Sequence, residues 1–464
     1  MKSVNLNWRI FVSMFICLLL IIPLASCKSY AEYDGDDNYA YSDYEFNNEE
    51  SQFYMAKNTA AAENGYYYIS NSPVNDVNYD FIYFYDMKNQ TSLPLCSKLN
   101  CEHDDENCDA YITDNECVGN CIWYYKGRLY MIERTGEKDL LVSYDKNGRD
   151  KKTQAELSVD GCTVREGAKV TGGRLYYYVS DGDRFRVYAA SLTKKEPPRH
   201  IKNYEFSYSY AVGLDIYAVN DGIYIRFFGS DSIGDEEYVY DYYDTKSGEM
   251  KNCFDSMSDA IDICGKVAFR GQHSDIYYES NSVYFVSTDE NEFIVNRLNF
   301  DTKKCDEFFV VDALKHNNDT WSTNLEGYDG KYLYIYEGID PESEAAKPGE
   351  VQGNYLYVID MDGTLVDTLH FDINRQFAKE NGMSSRMNGI GFSTFCGDDR
   401  YIFVTLNKGT VTGLELSNRW IEKYNSINED ANITKQSASI SAVGVIDKKQ
   451  IGTGSFNWIN VTPK

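Results

Sequence analysis

Three cysteines and a histidine stand close together between Leu95 and Tyr111, in the string LCSKLNCEHDDENCDAY, which carries Cys96, Cys101, His103 and Cys108. Three thiolates and an imidazole are the donor set of a closed structural zinc site, because zinc takes four soft or borderline ligands in a tetrahedron. The spacing is looser than the close pairs usual in such sites, and Cys117 and Cys121 follow without completing a second pair. Disulfides or free thiols are the competing account of Cys96, Cys101, Cys108, Cys117 and Cys121. Setting aside Cys17 and Cys27, ten of the 12 cysteines remain, an even number whose pairing spacing alone does not fix. A catalytic thiol needs a neighbour that lowers its pKa, and Lys98 is the sole basic residue nearby. The segment from Cys96 to Cys121 is therefore expected to be a local staple between the first two repeat units, not a catalytic centre.

Cys27 offers a different chemistry. Lys2 and Arg9 precede the apolar run from Ile10 to Ala25, which is shorter than the roughly 20 residues a membrane-spanning helix needs. The run leads into Leu24-Ala25-Ser26-Cys27, which resembles the lipobox of bacterial lipoproteins. That resemblance implies cleavage before Cys27 and lipidation of its thiol, hence a chain anchored to the cell membrane on its extracytoplasmic face. Residues 1–26 are then the signal peptide. Residues 27–51, rich in Asp, Glu, Asn, Ser and Tyr and without a strand or helix period, are a solvated tether. Loss of Lys2 and Arg9 takes the formal charge from −27 to −29. Such an excess of acid excludes nucleic acid as a partner, since phosphate binding rests on clustered Lys and Arg.

Other candidates are weaker. Asp145-Lys-Asn147-Gly148 and Asp360-Met-Asp362-Gly363 suggest calcium loops, but glycine comes fourth where a calcium loop wants it sixth. Asn-Gly and Asp-Gly are what tight hairpin turns require, so turns are expected there. The five histidines, His103, His200, His273, His316 and His370, form no metalloprotease pair, and no nucleophile elbow, phosphate loop or cofactor motif is present. No catalytic residue and no cofactor is assigned. Trp123, Trp321, Trp420 and Trp458 could stack on sugars, although packing between sheets is the commoner use of such side chains.

The elements that must position these residues come from a repeat. A Gly, Asn or Asp turn, an aromatic strand, a polar gap and a second strand recur, with first strands starting at Tyr66, Leu129, Leu175, Ile223, Val283, Tyr332 and Tyr401. The second strands end on Asp86, Asp145, Asp244, Asp301, Asp360 and Asp447, while the third unit runs to Leu192 and lacks the Asp. With 41 Tyr and 23 Phe, such strands suit sheets that bury both faces. The reading is an all-β chain, residues 52–464, forming one β-propeller of seven blades, with six or eight as alternatives. A β-sandwich would not repeat one hairpin so often. Short helices are expected near Asp312 and Asn374, and insertions at Asp340–Gly353, Phe371–Gly397 and Lys408–Ile440. Ring closure is expected to pair the strand near Gly454 either with the Gln52 region or within its own blade.

The pattern LC-x4-C-x-H-x4-C-x-AY resembles one found in uncharacterised propeller-like lipoproteins of Gram-positive anaerobes. The resemblance covers Leu95 to Tyr111 and implies location and fold, not an activity. Two functions follow as expectations: a non-catalytic module for a glycan, peptide or protein ligand, or a propeller enzyme acting on extracellular glycans or peptides. Fold does not choose between them.

Overall fold

The computed structural model describes residues 58–460 apart from 72–78, 102, 104–106, 114–116, 183, 206–210, 220–221, 231–235, 255–275, 280, 290–291, 313–320, 330, 340–353, 372–391, 398–400, 413–436 and 455–457. Cys27, the tether, Gln52, Trp420, His273, His316 and the two expected helices lie outside the described residues. Among those described, the strands pair into seven antiparallel sheets, taken here as blades 1 to 7 in chain order: residues 59–113, 117–156, 169–205, 211–254, 276–312, 321–371 and 392–460. Six of the sheets have four strands. Blade 1 departs from them with five: β1 (Thr59–Ala62), β2 (Gly65–Asn71), β3 (Tyr79–Asp86), β4 (Thr91–Pro94) and β5 (Tyr111–Thr113). The fold is a β-propeller.

Tyrosine-rich strands form because each blade is pressed from both sides. Tyr66, Tyr67 and Tyr68 are consecutive, point to alternate faces, and are all buried. Tyr67 stacks on Tyr124 of blade 2 with ring centroids 5.4 Å apart, while Tyr66 stacks on Phe403 of blade 7 at 5.0 Å. An aromatic ring fills such a seam with little rotamer entropy and leaves its hydroxyl at the margin: the Tyr67 hydroxyl donates to the Lys146 carbonyl at 2.9 Å and that of Tyr124 to Glu63 at 2.6 Å.

The hairpin legible in the sequence is the middle pair of each blade, not its first two strands. In blade 3 the strands Arg174–Asp181 and Arg184–Ser191 pair along their whole length, but the innermost strand is only Lys169–Thr171. So short a segment carries too few residues to show a period.

The turn after each third strand is built one way throughout. Its last polar side chain accepts backbone N–H groups two to four residues on: Asp86, Asp145, Asp244, Asp360 and Asp447 in five blades. Ser191 fills the place in the third unit, where the Asp is missing, and takes the amides of Thr193 and Lys194 at 3.3 and 2.9 Å. In blade 5 the acceptor is Asn299, two residues before the expected Asp301. The carboxylates of Asp145 and Asp360 are thus spent on backbone donors in turns, with Gly148 and Gly363 at φ 75° and 89°.

The last strand, Trp458–Asn460, pairs inside blade 7. The first and last blades meet through side chains instead: Tyr66, Tyr68, Tyr85, Phe403 and Val445 form one buried cluster.

Candidate metal centre

In most blades the outermost strand carries a register shift at one place. The third strand of blade 2 shifts against its outer neighbour between Leu141 and Val142, leaving Gln154 extra. Blades 3, 4 and 5 shift between Val187 and Tyr188, Tyr240 and Asp241, and Val295 and Asn296, leaving Ile201, Cys253 and Phe308 extra. Each is a β-bulge of one residue, three positions before the residue that caps the following turn.

Blade 1 opens at the same position. Tyr83, three residues before Asp86, faces Pro94, and Phe81 faces Tyr111, so β4 and β5 are two halves of one outer strand. Between them Ile82 holds both edges of the break: its carbonyl accepts from the Leu95 amide and its amide donates to the Ala110 carbonyl, each at 2.8 Å. Residues 95–110 leave the sheet in place of a single bulged residue, and they carry Cys96, Cys101, His103 and Cys108.

The donor atoms of these four side chains all lie within 4.8 Å of one another. Nδ1 of His103 is 3.4 Å from Sγ of Cys108. Around a tetrahedral zinc, with Zn–S about 2.3 Å and Zn–N about 2.0 Å, an N···S edge is roughly 3.5 Å long. Cys108 is buried, and the other three are half-buried. Asn100 and His103 take positive φ of 60° and 54° and so turn the chain around the cluster.

Burial works against both Cys96 and Cys108 as thiolates. At Cys96 the amides of Lys98 and Asp109 and the contacts of Cys101 and Cys108 overcome it and hold the thiol below its ordinary value. Cys108, buried deeper and accepting from the Ala110 amide, is still pushed well above it, in part by the charge of Cys96. In each, the residue two positions on (Lys98, Ala110) donates its amide to the sulfur. A brace outside the cluster holds the two ends of the excursion: Asp109 accepts from Ser97 Oγ at 3.1 Å and pairs with Lys98 at 2.9 Å. The sequence had marked Lys98 alone, because nothing in the spacing shows that Ser97 and Asp109 meet.

Cys117 and Cys121 do not join this group. Both sit in β6 (Cys117–Tyr125), the innermost strand of blade 2, and their thiols face the carbonyls of Cys121 and Gly119 at 3.7 and 3.3 Å. The expected grouping of all six residues on the connection between units is corrected accordingly. The four residues lie inside blade 1, because β5 returns to pair with β3, a long-range contact that local spacing does not show. Among the described residues, the eight cysteines from Cys96 to Cys305 form no disulfide. Burial pushes Cys253 up to about 12, which makes it an inert packing residue.

The remaining candidates are structural or undescribed. His200 meets Asn203 at 2.7 Å and the edge of Tyr188, and His370 is placed only by its backbone pairing with Tyr355. Trp123 packs against a buried cluster shared by blades 2 and 3; Trp321 and Trp458 are placed by backbone alone. Three buried acids are spent on seams. Asp139 takes Nε and Nη2 of Arg134 and, beyond its own sheet, the Val164 amide; Asp241 joins Tyr204 and Lys202 of blade 3; Asp329 joins Tyr334 of its own blade and Lys448 of blade 7.

No family model and no curated protein matches the chain. Among solved structures it is similar to the β-propeller domain of the Trilobed protease from Pyrococcus furiosus, at 8% identity over 88% of this chain and 98% of that one, TM-score 0.44. It is also similar to an oligogalacturonate lyase from Vibrio parahaemolyticus, at 10% identity over 77% and 86%, TM-score 0.42. Likenesses this distant say nothing of activity.

Proposed function

We propose that the chain is a lipid-anchored, non-catalytic binding module on the extracytoplasmic face of the cell membrane. Cys27 carries the anchor, residues 28–51 are the tether, and the propeller presents ligand-binding connections. The observation that supports this reading is the contrast between the two faces of the ring. In an antiparallel meander the connections between strands one and two, and three and four, share one face, and those remaining share the other. The first face holds short turns such as Glu63-Asn64, Lys126-Gly127 and Gly172-Gly173. On the second face the strands end at Ile339, Phe371 and Thr412 and resume at Asn354, Phe392 and Ser437. The three insertions expected from the sequence therefore all spring from one face, in blades 6 and 7. The formal charge of −29 favours cationic or neutral glycans and peptides over anionic ones.

Replacing residues 413–436 by an Asn-Gly turn tests this reading. Binding to a panel of neutral and amino-sugar oligosaccharides and cationic peptides should fall at least tenfold while thermal unfolding barely moves. Hydrolysis of any panel member, abolished by one carboxylate substitution, would install the enzyme in its place. Labelling with a fatty-acid analogue should mark the wild type and miss Cys27→Ser.

A further inference from the structure

Two of the bulged residues of the outer strands share a task. In blade 5 the carbonyl of Phe308 lies against Gly363, the turn glycine of blade 6, so closely that a Cβ there would sit 2.6 Å from it. In blade 4 the carbonyl of Cys253 accepts from Lys303 in the turn of blade 5. Each bulge thus turns a carbonyl out of its own sheet and onto the capped turn of the next blade. Leu95, the first residue of the excursion in blade 1, does the same: its carbonyl would be 2.7 Å from a Cβ on Gly148, in the turn of blade 2. Leu95 and Ala110 are buried in one cluster with Cys108, Ile122, Leu129 and Val142, which spans both blades.

A bulge of one residue is held by the strand pairs on either side of it. Among the described residues of 96–109 no strand pair gives such support; Asp109 braces only the two ends, through Ser97 and Lys98, and closing so long a loop costs entropy. The cross-link has to come from within, and the four clustered side chains are the groups placed to make it.

We propose that Sγ of Cys96, Cys101 and Cys108 and Nδ1 of His103 bind one Zn2+ in a closed tetrahedral site that locks the seam between blades 1 and 2. Binding forms three Zn–S bonds and one Zn–N bond and releases the three thiol protons to solvent; no electron is transferred. All four positions are filled by protein, so the ion holds structure and leaves no place for a substrate. Donor softness and tetrahedral spacing select zinc or iron over magnesium and calcium. A disulfide would use two of the three sulfurs and strand the third beside an imidazole. The amides of Lys98 and Ala110, each aimed at the sulfur two residues before, suit metal-bound thiolates. This site stands apart from the ligand-binding reading above and does not depend on it.

The test uses the full chain purified under reducing conditions from zinc-supplemented cells. Elemental analysis should find about one zinc per chain, and exchange into Co2+ should give the thiolate charge-transfer and d–d bands of tetrahedral cobalt. Cys101→Ser should lose the metal, while Cys117→Ser, Cys121→Ser and Cys162→Ser keep it. Should Cys101→Ser fail to fold, alkylation of the wild type decides: Cys96, Cys101 and Cys108 should react only after a chelator is added. A folded wild type without metal, a disulfide among the three by mass spectrometry, or zinc retained in folded Cys101→Ser would overturn the proposal. One iron per chain would overturn the choice of zinc.

Discussion

Blades 1 and 4 solve the same problem with different means. Both must seat the outer strand against the next blade, and both break register three residues before the turn cap. Blade 4 does so with one buried residue, Cys253, beside a polar knot in which Asp241 accepts from Tyr204 at 2.7 Å, from Lys202, and from Asn252 at 3.2 Å. Blade 1 has no such acid at Tyr83 and spends residues 95–110 instead, with four metal donors. The difference teaches that the bulge is a place where the fold tolerates insertion, because pairing is already interrupted there and the Ile82 backbone can grip both edges.

The comparison can be broken from either side. The largest effect should come from blade 4. Asp241→Ala strands Lys202 and the Tyr204 hydroxyl at a seam and should cost about 3 kcal/mol in denaturant unfolding, with or without a chelator. Blade 1 should show the reverse dependence. Metal at a hundredfold excess over its Kd stabilises by about 2.7 kcal/mol, so chelation should lower the wild-type midpoint and open residues 95–110 to limited proteolysis. An unchanged midpoint would place the two blades on the same footing.

Gly148→Ala and Gly363→Ala sharpen the equivalence of the two seams. Each adds a Cβ to a positive-φ residue against a carbonyl of the preceding blade, and each should cost about 1–2 kcal/mol. Only the cost of Gly148→Ala should change when metal is removed. The smallest effect belongs to the capped turns. Asp244→Asn should move stability by less than about 0.5 kcal/mol at neutral pH, since Asn299 already fills that role in blade 5. The amides of Ser247 and Lys246 hold the Asp244 carboxyl below its ordinary value. Its contribution is therefore complete above the unfolded-state pKa near 4 and is lost as pH falls through the lower folded value. The Asn variant should lack that acid-side loss in a pH series of unfolding midpoints.

Much of this architecture was legible beforehand. The middle hairpins announce themselves because Tyr-rich strands buried on both faces look the same in every blade, and the turn caps because an acceptor must end each third strand. Blade 3 shows why the Asp alone was too narrow a signature: Ser191 serves as well. The innermost strands escaped notice because segments as short as Lys169–Thr171 have no period. The metal donors were visible as residue types, but the partition of Cys117 and Cys121 away from them was not. That partition depends on β5 rejoining β3 across the excursion, and six nearby cysteine and histidine positions read alike until that pairing is known.

The way the ring closes sets where the chain can be cut. Among the described residues no strand is shared between the first and last blades; each sheet is assembled from one stretch of sequence, and the join is an aromatic cluster around Tyr66 and Phe403. Thr59 begins an innermost strand and Asn460 ends an outermost one, so both open on the face of the long connections. The order of blades is consequently cyclic in all but the covalent chain. A permuted protein that joins those ends through a linker and begins instead between Phe371 and Phe392 would keep every strand pair and every seam intact.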